Sequence, residues 1–226
     1  MRRQALVYNL GLTAAHYKMG YQGVMNRLWI FAATVCSTLV TTSALPAPSV
    51  EAGATKAATC QACHGANGNS TNTDWPSLAG IGAGYIADQL NNFKTGKRAS
   101  PVMMPMAANL TADDMADLGL YFDSLTNTGL ESDPSFWQAG EKLYRGGDQT
   151  RGIPACMACH GPTGKGNEPA KFPALRGQQP GYVVKQLTDY ASGTRATGPN
   201  GIMQTIAKRL SAEDIRNLAS YVEGLR

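Results

Sequence analysis

The chain has 226 residues, 43% of them hydrophobic and 16% charged, with 25 glycines and 12 prolines. That length fits one large domain or two small ones, and the hydrophobic share excludes a largely disordered chain. The formal charge of +4 comes from four basic residues before residue 48, beyond which basic and acidic side chains balance at 16 each; no basic face is left for a nucleic-acid partner.

Residues 1–47 carry Arg2, Arg3, Lys18 and Arg27, no acidic side chain, and the apolar run "LWIFAATVCSTLV" from Leu28 to Val40. A membrane-crossing helix needs about 20 apolar residues, so this run is short for one. A basic start, a short apolar core and then small residues and prolines ("TTSALPAPSVEA") form a secretory signal pattern that fits best from Met25, with cleavage after Ala44, Ala47 or Ala52. An uncleaved membrane anchor is the competing reading. Cys36 lies inside the apolar run and is expected to leave with it.

The rest of the chain repeats itself. "TCQACHGANGNS" (Thr59 to Ser70) shares its Cys-x-x-Cys-His-Gly core with "ACMACHGPTGKGN" (Ala155 to Asn167), 96 residues later. "WPSLAGIGAGYIADQLNNFKTG" from Trp75 matches "FPALRGQQPGYVVKQLTDYASG" from Phe172, and "LTADDMADLGLYFDSL" from Leu110 matches "LSAEDIRNLASYVEGL" from Leu210. Three blocks in the same order mark a tandem duplication, with domains at 48–130 and 131–226. The first carries four basic and seven acidic residues and the second twelve and nine, which predicts a molecular dipole.

In chain order, each half is predicted to open with a helix, near 49–60 and 135–145, leading to its Cys-x-x-Cys-His. A middle helix follows on the stripe Tyr85, Ile86, Gln89, Leu90, Phe93 and its match Tyr182, Val183, Gln186, Leu187, Tyr190. Thr111 and Ser211 read as N-caps of final amphipathic helices, whose stripes are Met115, Leu118, Phe122, Leu125 and Ile215, Leu218, Val222, Leu225. No stretch alternates with period two, so the fold class is all-α. Tyr85, Tyr182, Tyr121 and Tyr221 recur in both halves, as packing or as hydrogen-bonding groups at the domain interface.

Short helices in so small a domain bury a marginal core and need a cofactor, metal or disulfide. A thioredoxin-like dithiol wants a βαβ context, which is missing. Zinc wants four protein ligands, and beyond the leader each half offers two thiolates and one histidine. Covalent haem c fits: two thiols one helical turn apart can add to two vinyl groups, and the adjacent histidine reaches the iron. The expected thioether positions are Cys60, Cys63, Cys156 and Cys159, with His64 and His160 as proximal ligands. His16 lies in the leader, so methionine is the candidate for the sixth position. Met203 precedes Leu210 by seven residues, as Met103 precedes Leu110, making them equivalents. Met104 and Met106 remain alternatives in "PVMMPMAANL".

The paired Cys-x-x-Cys-His-Gly segments, "PSLAGIGAGYIADQL", "PALRGQQPGYVVKQLTDY", "GEKLYRGGDQTRGIPAC" and "LSAEDIRNLASYVEGL" resemble the dihaem cytochrome c4 family over nearly all of the chain after residue 50. The resemblance implies two cytochrome c-type domains around a pseudo-twofold axis, two haem c groups, and axial pairs His64 with Met103 and His160 with Met203. It also implies a periplasmic one-electron carrier, soluble or peripherally membrane-associated, with no catalytic residues. Its expected partners are redox proteins: a quinol-cytochrome c reductase or a cupredoxin as donor, a terminal oxidase as acceptor. A dihaem peroxidase or the haem subunit of a dehydrogenase is the alternative. The long segment before Met25 departs from the family pattern.

Overall fold

The structure is a computed structural model that describes residues 47–225; the presequence reading for residues 1–46 lies outside them. Ten α-helices run through the described residues: α1 Val50–Lys56, α2 Ala58–His64, α3 Ala83–Lys94, α4 Met103–Ala107, α5 Ala112–Ser124, α6 Trp137–Gly146, α7 Met157–His160, α8 Pro180–Ser192, α9 Ile202–Ala207 and α10 Ala212–Gly224. Two short 3₁₀ turns, Glu168–Ala170 and Pro199–Gly201, interrupt the loops. Among the described residues β-structure is confined to the isolated bridges Asp148 with Ile153 and Asn167 with Phe172.

Local chemistry explains why the last helix of each half starts where it does. Thr111 accepts from the Asp114 amide while the Asp114 carboxylate accepts from the Thr111 amide; Ser211 and Asp214 repeat this reciprocal cap. Two amide donors are satisfied in each case, and the carboxylates sit at the positive end of the helix dipole. Behind the caps, Met115, Leu118 and Phe122 of α5 and Ile215, Leu218, Val222 and the following Leu225 of α10 are all buried. Helices α1 and α3 pack on α5, and α6 and α8 pack on α10.

The crossings of α1 with α5 and of α6 with α10 depend on a glycine. A Cβ on Gly53 would stand 2.6 Å from the Tyr121 Cβ, and one on Gly140 would stand 2.7 Å from the Tyr221 Cβ. Both distances are far inside carbon–carbon contact of ~3.5–4.0 Å, so only glycine permits this approach.

The predicted first helix of the N-terminal half differs from the structure. It breaks at the fully buried Ala57, which ends α1 and begins α2. In the C-terminal half, α6 stops at Gly147, and an added turn held by Asp148 and Ile153 precedes the Cys-x-x-Cys-His. The offset between equivalent residues accordingly rises from 87 at Gly53 and Gly140 to 96 at His64 and His160. Tyr144, near the end of α6, is fully buried and donates to the Gly161 carbonyl at 2.7 Å.

Polar contacts join the two halves. The Ala174 amide donates to the Ile81 carbonyl at 3.0 Å. In the pseudo-equivalent place the Gln178 amide group accepts from the Ser77 N–H at 2.8 Å and donates to the Ser77 carbonyl at 2.9 Å. Gly84 N–H reaches Glu168 at 2.7 Å, and Gly181 N–H reaches the Thr73 hydroxyl at 3.0 Å.

Candidate haem sites

Each Cys-x-x-Cys-His lies at the end of a helix, where α2 or α7 stops at a glycine. Gly65 has φ 86° and Gly161 φ 80°, a region that side-chain-bearing residues avoid. Of the four cysteines in these segments, Cys63 and Cys159 are exposed, and Cys60 and Cys156 are half-buried.

Both histidines are buried, 8% exposed each. Nδ1 of His64 lies 2.8 Å from the Pro76 carbonyl oxygen, and Nδ1 of His160 lies 2.9 Å from that of Pro173. A carbonyl can only accept, so Nδ1 carries the proton and Nε2 keeps its lone pair. Burial, opposed by those carbonyls, holds both rings below their usual protonation range. The result in each half is a neutral imidazole with a fixed tautomer, presenting Nε2 as a ligand. Pro76 and Pro173 were not singled out from the sequence, although their place in the matched Trp-Pro and Phe-Pro blocks was a signal for them.

In the C-terminal half, Cys156, Cys159, His160 and Met203 line one cavity of about 550 Å³. Its walls are mostly apolar, with Phe172, Leu175, Val183, Leu187, Ile206 and Leu218 among them. The structure thus brings together the four residues expected at this site. In the N-terminal half the methionines separate by exposure: Met103 is half-buried, whereas Met104 and Met106 are 38% and 41% exposed. Among the described residues no cluster of His, Cys, Asp or Glu forms that could hold a metal ion without a further group. Two thiols, one oriented imidazole and one thioether around an apolar slot are a donor set suited to haem c rather than to a bare ion.

The C-terminal cavity is also lined by Tyr85, Gln89 and Asn92 of the N-terminal half, so it opens on the domain interface. There the structure adds residues that the sequence reading did not single out. Arg98 donates to Gln89 at 2.9 Å, and across the interface to the Tyr182 hydroxyl at 3.0 Å and Gln186 at 2.6 Å. Arg195 mirrors it, donating to Gln186, the Tyr85 hydroxyl and Gln89, each at 2.9 Å. Each guanidinium stacks on its own half's aromatic ring, Arg98 on Phe93 and Arg195 on Tyr190. Of the recurring tyrosines, Tyr85 and Tyr182 therefore bond across the interface. Tyr121 and Tyr221 stay within their halves, Tyr121 accepting from Gln61 at 2.8 Å and Tyr221 packing on Tyr144.

The comparisons with known proteins agree with this geometry. The cytochrome c family model matches residues 50–126 and again 138–226. Cytochrome c4 of Pseudomonas aeruginosa is 46% identical over 175 residues, 77% of this chain and 87% of that one. A thiosulfate dehydrogenase electron acceptor of Thiomonas intermedia is 38% identical over 171 residues, 74% of this chain and 78% of its own. The crystal structure of reduced recombinant cytochrome c4 from Pseudomonas stutzeri superposes with a TM-score of 0.77 at 42% identity, covering 80% of this chain and all of that one. Two cytochrome c domains in tandem, each with its own Cys-x-x-Cys-His, place the chain in the cytochrome c family, as a member of its dihaem cytochrome c4 group with two covalently bound haem c groups.

Proposed function

We propose that this dihaem electron carrier works in the periplasm, taking single electrons from a quinol-oxidising complex or a copper protein and delivering them to a terminal oxidase. The observation that carries this reading is the cavity shared by Cys156, Cys159, His160 and Met203, which opens on the N-terminal half. On this reading Cys60, Cys63, Cys156 and Cys159 form the thioether links, and the axial pairs are His64 with Met103 and His160 with Met203. The supports are the repeat equivalence of the two methionines, the burial of Met103 relative to Met104 and Met106, and the two oriented imidazoles.

When bound, haem c supplies a one-electron couple, and this chain sets its conditions. The Pro76 and Pro173 carbonyls increase the donor strength of each imidazole and stop the ring from turning. A thioether opposite a histidine favours the reduced state, as does an apolar wall that disfavours extra charge. If Met103 and Met203 held the irons together with His64 and His160, no position would be left open for peroxide, which disfavours the peroxidase alternative. Domain boundaries near residue 130 follow from the repeat, and export follows from the leader pattern. Among the described residues no helix is long and apolar enough to cross a membrane.

The second reading, a haem partner of a dehydrogenase, draws on the similarity to the Thiomonas electron acceptor. Stopped-flow mixing separates the two. Rapid reduction by a quinol-oxidising complex and rapid oxidation by a terminal oxidase support the respiratory carrier. Reduction only by a thiosulfate-oxidising enzyme supports the second reading, and an intact protein that exchanges electrons with none of them refutes both.

A further inference from the structure

The middle helices of the two halves start without a cap of their own. Helix α3 has Gly82 at its N-cap, which has no side chain to offer, and the Gln179 side chain at the N-cap of α8 makes no bond to its helix. It turns instead to the Ser70 carbonyl of the N-terminal half. Helices α1, α5 and α10, by contrast, are capped by Ser49, Thr111 and Ser211 of their own halves. The first-turn amides of a helix have no partner inside it, and a side-chain acceptor on the second or third amide usually satisfies one of them.

For α3 and α8 that acceptor comes from the other half. Gly84, the second residue of α3, donates its N–H to the Glu168 carboxylate at 2.7 Å. Gly181, the second residue of α8, donates to the Thr73 hydroxyl at 3.0 Å, and the next amide, Tyr182, donates to the Thr73 carbonyl at 2.8 Å. Both approaches are close: a Cβ on Gly84 would stand 3.1 Å from a Glu168 carboxylate oxygen, and one on Gly181 would stand 2.9 Å from the Thr73 hydroxyl. Gly84 and Gly181 are equivalents, each nine residues after the Trp75 or Phe172 that opens its matched block. Their acceptors are not equivalents, since Thr73 lies three residues before Pro76 and Glu168 lies five before Pro173. A hydroxyl and a carboxylate from different places thus serve the same amide, and the copying of one residue in the duplication does not explain that.

Both acceptors sit where they bear on the haem sites. Thr73 and Glu168 lie in the segments that run from each Cys-x-x-Cys-His to the carbonyl, of Pro76 or Pro173, that orients the histidine. The capped helices carry Tyr85, Gln89, Tyr182 and Gln186, all of which line the C-terminal cavity. Each cap therefore ties the histidine-orienting segment of one half to the middle helix of the other. We propose that Thr73 and Glu168 are positioning residues acting in trans: by completing the middle helix of the opposite half, they fix the separation of the two haem sites across which an electron passes. That passage takes one electron from one iron to the other and makes or breaks no bond. Its rate falls steeply as the gap widens, so a loosened cap is read as slower exchange. This rests on the dihaem carrier reading.

The test uses the holoprotein carrying Thr73→Val or Glu168→Ala, which remove the acceptor, and Thr73→Ser or Glu168→Gln, which keep one. A helix cap typically changes the equilibrium of the helix start by a factor of about five. Amide hydrogen exchange should therefore quicken about fivefold at Gly181 in Thr73→Val and at Gly84 in Glu168→Ala, each time in the half that was not substituted. Electron exchange between the haems, followed by NMR in the half-reduced protein, should slow several-fold in the same two variants and keep the parent rate in Thr73→Ser and Glu168→Gln. Quickened amides with an unchanged interhaem rate overturn the positioning role, because a merely local cap does that much. So do Thr73→Ser and Glu168→Gln proteins that behave like Thr73→Val and Glu168→Ala, which would trace the effect to shape. Where a variant fails to load haem, the parent still decides: Gly84 and Gly181 amides that exchange as fast as unprotected ones overturn the caps. Haem count and the methionine–iron absorption band of the parent report separately on the carrier reading. Two haems with intact methionine bonds and an interhaem rate indifferent to both caps would leave the carrier standing and remove only the role of Thr73 and Glu168.

Discussion

Replacing Gly140 by alanine should weaken the C-terminal half through one identifiable clash. The new Cβ would press hardest on the Asn217 carbonyl oxygen and would lie 2.7 Å from the carbonyl carbon and 2.7 Å from the Tyr221 Cβ, all on α10. Normal contact is ~3.5–4.0 Å, so α6 and α10 must move apart by about 1 Å. Neither obstacle can rotate away, because one is backbone and the other is a Cβ fixed to it. Overpacking of this kind costs ~1–3 kcal/mol, and the upper end applies here. Alanine returns roughly 1 kcal/mol through its better helix propensity, leaving a net loss of about 2 kcal/mol. For a domain of roughly 100 residues that lowers the melting temperature by roughly 8–16 °C. Gly146 is the control on the same helix: it is exposed, a Cβ there meets nothing within 4 Å, and its φ is not positive. Gly146→Ala should stabilise by ~0.5–1 kcal/mol. Differential scanning calorimetry of both holoproteins reads the opposite signs. A Gly140→Ala protein that melts at or above the parent temperature would refute the close-approach argument.

Met103→Ala should abolish the methionine–iron absorption band of one haem and leave that of the other, whereas Met106→Ala should leave both; a loss with Met106→Ala instead would move the axial assignment. Gln178→Ala strands the Ser77 N–H in a buried interface, at ~1–3 kcal/mol. Calorimetry should then show a lower and broader transition as the halves unfold less cooperatively, and an unchanged endotherm would contradict this. Asp114 and Asp117 are held below the usual carboxylate range first by Lys56, Asp214 first by Arg151, and Asp148 first by the Thr150 hydroxyl and then Arg151. Depressed carboxylates contribute stability that is complete above their unfolded value of ~3.9 and lost as pH falls through their folded values. Chemical denaturation should therefore show stability that begins to fall below about pH 6.5, where the unfolded chain protonates His64 and His160 and the folded rings do not, and that falls steeply below about 4, an acid limb that Asp214→Asn makes shallower.

What the sequence made legible follows from where its signals arise. The caps at Thr111 and Ser211 and the apolar stripes of α5 and α10 are local patterns, and each half states them once. The Cys-x-x-Cys-His segments were equally local. The break at Ala57 was hidden because alanine suits a helix, and the turn ends there for reasons of tertiary packing. The Asp148–Ile153 insertion was hidden because it occurs in only one half, where the repeat gives no second copy to compare.

The arginine network was missed for a different reason. Periodicity reports which face of a helix is buried inside its own domain, whereas Gln89, Gln186, Arg98 and Arg195 are polar and find partners 84 to 110 residues away. The repeat still held a trace of it. Extending the match of Phe93 and Tyr190 by five residues aligns Arg98 with Arg195, in loops that otherwise diverge. Duplicating a domain places each such residue twice, and here the two copies meet where the halves join, Arg98 on Gln186 and Arg195 on Gln89. The shared arginine–glutamine network is thus a consequence of the duplication itself, requiring only that the two copies of one polar residue meet where the halves join.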